Sequence, residues 1–213
     1  MHIWYAAYGS NLLEDRFLTY LRGGPVPISG RQQHGARNAA DPLDSRPYRI
    51  DRLLSFNGES KGWSGGGVAF VDPHTVIEGD TLGRAWLITE EQLADVWAQE
   101  NGGTTGPDLN VAGLEADGHL DLGRGWYRRL EYLGRLEGVP VATITGDALP
   151  DQNAAGPAYL EVVGRGLMAT WDLSAEEVAH YLAGRAGNAG AVTVEQVAAL
   201  LSPPSAASRD ADR

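Results

Sequence analysis

The helical pattern from Glu90 to Glu100 ends on a carboxylate that its own periodicity turns inward. The apolar residues of this segment are Leu93, Val96 and Trp97. At about 100° per residue, Glu100 projects roughly 20° from Leu93, between Val96 and Trp97. It also stands at the C-terminal end of the helix, where the dipole disfavours negative charge. Burial and dipole both favour the protonated form, and a carboxylate held in that condition suits proton transfer. The bland alternative is a frayed last turn that lets Glu100 reach solvent. Glu90, Glu91 and Asp95 fall off the apolar stripe and read as solvated.

Donors to match such a group lie near the beginning of the chain. Residues 3–8 (Ile3, Trp4, Tyr5, Ala6, Ala7, Tyr8) are aromatic, β-branched or small and read as a buried strand. Gly9 and Ser10 break it, and Asn11 stands at an N-cap position with Glu14 three residues on. Leu13, Phe17 and Leu21 then recur at helical spacing until Gly23-Gly24-Pro25. A helix opened this way leaves backbone N–H groups without intrahelical partners. Those donors can hold a carboxylate or a developing oxyanion. An ordinary strand–turn–helix has the same spacing, so the pattern alone leaves both readings open.

Two other chemistries are weighed and set aside. Gly62-Trp63-Ser64-Gly65-Gly66 matches the G-x-S-x-G form of a serine nucleophile, with His119 and His180 downstream. That motif needs a helix after it, whereas Gly67 and the strand-like Val68-Ala69-Phe70-Val71 follow here. The glycine run reads better as a turn or bulge where the backbone approaches something closely. The chain has no cysteine, and its five histidines never fall in metal-binding pairs. No metal site and no cofactor are expected.

The positioning elements follow in order. Strands are expected over 48–56, 68–71, 82–88, 126–133 and 139–145, besides the one at 3–8. Thr89 with Gln92, Ser174 with Glu177 and Thr193 with Gln196 open helices with capping boxes, and Pro157 starts another. Two stretches, 24–47 and 101–124, read as long loops, the first a possible lid. The expectation is a single α+β domain over residues 1–201, with a small mixed β-barrel flanked by helices. Residues 202–213 read as a disordered tail.

Composition sets the outer limits. The 213 residues are 43% hydrophobic and 21% charged, as in an ordinary globular protein. A formal net charge of −11 argues against nucleic acid and anionic membrane partners. No apolar stretch approaches transmembrane length, and a basic leader is absent, so a cytoplasmic protein is expected. The six tryptophans read mostly as core.

Four segments in order carry a resemblance to the γ-glutamylcyclotransferase-like family. Tyr5 to Leu12, Y-A-A-Y-G-S-N-L, resembles its N-terminal signature. Trp63 to Ala69 resembles its tryptophan–glycine–glycine strand entry. Leu82 to Asn101 resembles the strand and helix that deliver its catalytic glutamate, and Gly156-Pro157-Ala158-Tyr159 its C-terminal helix. The resemblance implies a cofactor-independent enzyme that releases 5-oxoproline from a small γ-glutamyl compound. It further implies Glu100 as acid/base, Tyr5 to Ser10 lining the substrate site with backbone donors, and Tyr159 contacting the glutamyl portion. Gly9, Ser10 and Asn11 would supply oxyanion donors. Asn101 stands where the family commonly has glycine, the glycine run is one residue longer, and both long loops are expanded.

Overall fold

The computed structural model describes residues 1–63, 65–123 and 125–202. Ser64 and residues 203–213 of the expected 202–213 tail lie outside the described residues. The strands are β1 (His2–Ala7), β2 (Gly24–Pro25), β3 (Gln32–Gln33), β4 (Asp44–Ile50), β5 (Leu54–Asn57), β6 (Val68–Val71), β7 (Thr81–Thr89), β8 (His119–Asp121), β9 (Arg129–Leu136) and β10 (Val139–Thr145). The helices are α1 (Glu14–Arg22), α2 (Glu90–Glu100), α3 (Leu114–Asp117), α4 (Pro157–Trp171), α5 (Ala175–Ala183) and α6 (Val194–Leu201). The expected strand over 48–56 is divided between β4 and β5.

The fold is α+β, built on a six-stranded mixed sheet in the order β4-β7-β1-β10-β9-β8. β1 lies inside it, antiparallel to β7 and parallel to β10. Both of its faces are packed as well, which is why its sequence shows no polar alternation. Trp4, Ala6 and Tyr8 join a core shared with α4, α5, α6 and the β5–β6 ribbon. Ile3, Tyr5 and Ala7 join a second core with α1 and α2.

The expected barrel is corrected: the sheet does not close. It curls far enough that β4 reaches β9 through side chains, and no ladder forms between them. Tyr48 Oη donates to the Leu133 carbonyl at 3.1 Å, and Arg52 pairs with Glu131 at 2.7 Å. β8 occupies the outer edge of β9, and β5–β6 form a ribbon of their own.

Asp95 is corrected as well. It is fully buried and accepts from the N–H groups of Arg37 (2.8 Å) and Gly106 (3.0 Å) and from the Arg37 guanidinium. One carboxylate thus pins both long loops onto α2, and its desolvation is offset by these donors. The loops carry the β2–β3 ribbon in the first case and α3 and β8 in the second.

Helix α4 packs on the turn after β1 with no room to spare. A Cβ on Gly166 would lie 2.6 Å from both Leu12 Cβ and Leu13 N. Alanine would gain about 1 kcal/mol of helix propensity, but overpacking against backbone costs about 1–3 kcal/mol. Gly166→Ala is therefore expected to lower the denaturant midpoint. A raised midpoint would show that α4 has room to move.

Candidate active site

The turn after β1 departs from the expected cap. Residues Ser10–Leu12 form a single 3₁₀ turn, and α1 begins after Leu13 without a side-chain cap. The Asn11 side chain is engaged elsewhere: Nδ2 donates to Glu100 Oε1 at 2.8 Å and to Tyr5 Oη at 3.1 Å. Trp86 Nε1 on β7 fixes the turn by donating to the Asn11 carbonyl at 3.0 Å. The turn's own bonds begin with Leu12 N–H to Gly9 O (3.0 Å) and Leu13 N–H to Ser10 O (3.3 Å). The N–H groups of Gly9, Ser10 and Asn11 are not used within it.

Glu100 arrives from the opposite direction, and the end of α2 is anchored on both sides of it. Gln99 Nε2 donates to the Tyr20 carbonyl at 2.9 Å, and Gln99 Oε1 accepts from Gly35 N–H at 3.2 Å. Asn101 Nδ2 donates to the Trp97 and Tyr127 carbonyls, each at 3.1 Å. Asn101 has φ −98°, outside the left-handed region, so glycine is not required there. Its amide does the capping, and Gly102 takes the left-handed conformation (φ +80°). Glu100 is held half-buried rather than frayed into solvent.

Between these two approaches lies a cavity of about 140 Å³. That is far more than the roughly 10–15 Å³ one water needs. Tyr5, Tyr8, Gly9, Ser10 and Asn11 line it, and so do Glu100 and Tyr159. Ala6 and Ala7, expected at the same site, are instead core residues on opposite faces of the sheet. Neither His119 nor His180 lines the cavity. Among the described residues no three His, Cys, Asp or Glu side chains cluster as metal ligands. No described helix is long and apolar enough to cross a membrane.

Tyr159 is set by the approach of three backbones. Pro157 occupies the first turn of α4. The glycine run lies against the segment before α4, with Gly67 bridging to Ala155. A Cβ on Gly66 would stand 2.6 Å from Gly156 N, the close approach its sequence suggests. Tyr159 Oη accepts from Ala69 N–H at 3.1 Å, and Ser10 N–H also faces it. With its oxygen accepting, its proton is left for a ligand.

Burial pushes the Tyr5 and Tyr159 hydroxyls well above the ordinary tyrosine range, and the nearby Glu100 charge adds to it. Burial raises Tyr8, Tyr20 and Tyr127 in the same direction. The cavity wall therefore presents neutral phenols beside one carboxylate, with the Tyr8 and Tyr127 protons already donated to the Ile144 and Ala69 carbonyls.

The comparisons with known proteins can be set against this geometry. No family model matches the chain. A solved structure of gamma-glutamyl cyclotransferase aligns over 94% of this chain and 98% of its own, at 16% identity and a TM-score of 0.52. The chain has the γ-glutamyl cyclotransferase fold. An uncharacterized protein from Homo sapiens, LOC79017, aligns over 84% of this chain and 86% of its own, at 17% identity and a TM-score of 0.48. In sequence, the chain is 32% identical over 199 residues to Histone deacetylase 5 of Arabidopsis thaliana. That match covers 84% of this chain, which spans about 30% of that protein's length.

On this cyclotransferase fold the sequence reading missed several cavity residues. Tyr127 comes from a loop and hydrogen-bonds the Ala69 carbonyl at 3.1 Å, a contact no local pattern announces. Arg31 reaches the cavity from the β2–β3 side of the first long loop. Arg16 was findable, because it falls three residues after Leu13 and four before Tyr20, on the flank of the apolar stripe.

Two outcomes follow. A Cβ on Gly9 would lie 2.7 Å from Tyr159 Oη and 3.3 Å from Ala69 Cβ. Gly9→Ala is expected to displace Tyr159 and weaken ligand binding at least about 10-fold, at a stability cost near 1–3 kcal/mol. Unchanged affinity would show that the hydroxyl need not sit there. The buried phenols also link stability to alkali. They release protons on unfolding, so stability is full below about pH 10, where free tyrosine ionises, and falls as pH rises further. A denaturant midpoint that stays level above about pH 10 would contradict their burial.

Proposed function

We propose that the protein is a γ-glutamyl cyclotransferase-type enzyme, releasing 5-oxoproline from a γ-glutamyl amino acid, peptide or amine. The observation that carries this reading is the 2.8 Å hydrogen bond joining Asn11 to Glu100 across one cavity. It supports the reading because the carboxylate and the N-terminal turn meet at the wall of one cavity.

In this reading the substrate's α-amine attacks its own γ-carbonyl carbon. Glu100 takes a proton from the attacking nitrogen as the new C–N bond forms. The negative charge that develops on the carbonyl oxygen meets the N–H groups of the Gly9–Asn11 turn, and the Tyr159 hydroxyl stands near enough to assist. When the tetrahedral carbon collapses, the bond to the departing amine breaks, and Glu100 returns the proton to that nitrogen. The products are 5-oxoproline and a free amine, so atoms and charge balance without a co-reactant. Because nucleophile and electrophile belong to one molecule, the cavity's main task is to hold the folded conformer.

Glu100→Gln tests the role of the carboxylate. Glutamine keeps an oxygen for Asn11 and removes the proton shuttle. The expected result is a fall of about 10³-fold in kcat, with the unfolding transition preserved and ligand binding largely so. Turnover at the parent rate would remove Glu100 from the mechanism.

A second reading is a non-catalytic γ-glutamyl-binding module on the same fold. It draws on the curated relative, in which a stretch similar to this chain makes up 30% of a longer protein. Calorimetry showing tight binding of a γ-glutamyl compound, with no 5-oxoproline after long incubation, would favour it.

A further inference from the structure

The cavity holds a cation for which nothing above accounts. Among the described residues, ten arginines have a carboxylate partner within ion-pair distance. Arg16, Arg31 and Arg49 do not, and of these only Arg16 is buried, at 6% exposure. In a chain of net charge −11, carboxylates are not scarce. An interior guanidinium without a counter-ion carries a desolvation penalty, which folding must offset elsewhere.

Neutral groups alone hold it in place. Arg16 Nη1 donates to Thr19 Oγ1 at 3.0 Å, and Nη2 donates to Tyr20 Oη. The guanidinium carbon lies 4.0 Å from the centroid of the Tyr20 ring. Thr19 Oγ1 in turn donates to the Arg16 carbonyl at 2.7 Å. Arg16 Nε is buried with no partner. Two N–H bonds of the fork are thus satisfied, and the residue itself lines the cavity.

Arg16 and Glu100 share that cavity without forming an ion pair, and Tyr5 and Tyr159 feel both charges in opposite senses. A space where one anion and one buried cation are held apart, with the exposed Arg31 also on its wall, matches a ligand bearing an ammonium and a carboxylate. The head of an L-α-amino acid is such a group. We propose that Arg16 is a substrate-binding residue that holds the α-carboxylate of the γ-glutamyl head, leaving its α-amine toward Glu100. This rests on the cyclotransferase reading for the identity of the substrate. It adds a requirement that reading lacks: compounds with a blocked α-carboxylate are rejected.

The test compares a γ-glutamyl amino acid with the same compound carrying an α-carboxamide. In the parent protein kcat/KM is expected to fall about 30-fold for the amide, as loss of a charge-assisted hydrogen bond implies. In Arg16→Met the ratio between the two compounds collapses toward one. Arg16→Lys recovers part of the discrimination, mostly through KM. A structural role would weaken both compounds alike and keep their ratio, which would overturn the proposal. Equal turnover of acid and amide by the parent protein overturns it without any variant, while leaving the cyclotransferase reading intact. Calorimetry with L-glutamate and its α-carboxamide separates the opposite case. Selective binding of the acid, lost in Arg16→Met, with no γ-glutamyl compound turned over, would uphold Arg16 and sink the reaction. Failure of the parent protein to bind either probe or substrate overturns the proposal.

Discussion

The hydrogen bond from Asn11 to Glu100 spans 89 residues of sequence and joins two elements. One is the turn that follows the most enclosed strand of the sheet. The other is the last residue of a helix whose dipole repels the charge placed there. Asn11 could have capped α1, as its neighbours in sequence suggest, and the fold directs its amide across the cavity instead. Its Oδ1 is left buried without a partner. A polar atom left unsatisfied at that depth is a local cost that packing elsewhere must absorb, which is common where a protein keeps a site for something else.

Rigid neighbours make the contact dependable. Trp86 holds the carbonyl of Asn11 and stacks on Phe17 of α1, with ring centroids 4.6 Å apart. Arg84 covers the outer side of Trp86 at 3.7 Å and pairs with Glu14 at the start of the same helix. Gln99 and Asn101 tie the residues on either side of Glu100 to backbone in three other segments. Glu100 and the Gly9–Asn11 turn therefore stand on anchored ends of regular elements, and the first long loop adds Arg31 and Gln33 to the cavity wall. Placement of that kind is what proximity catalysis asks for.

Much of this was legible from residue types. Periodicity placed α2, α4, α5 and α6, because capping boxes and Pro157 mark helix starts through local hydrogen bonding. Glu100 stood out because a charge on an apolar face is a local contradiction. Arg16 sits in a similar contradiction on α1, yet its position on the flank of the stripe made it easy to pass over. Asp95 misled for the opposite reason. It lies off the helix's own stripe, and partners in the two folded loops, 58 and 11 residues away, hold it where it is buried. The open sheet was equally out of reach, since closure depends on whether β4 and β9 meet by ladder or by side chains. Long-range pairings of this sort leave no mark on local pattern.

In the proposed function the cavity folds a γ-glutamyl compound onto itself. The most direct measurement is the formation of 5-oxoproline, with the free amine counted alongside, across a panel of γ-glutamyl amino acids, peptides and amines. The account predicts that at least one compound gives both products in equal amounts from the protein alone. Release of the amine with glutamate in place of 5-oxoproline, or no release from any compound, would contradict it.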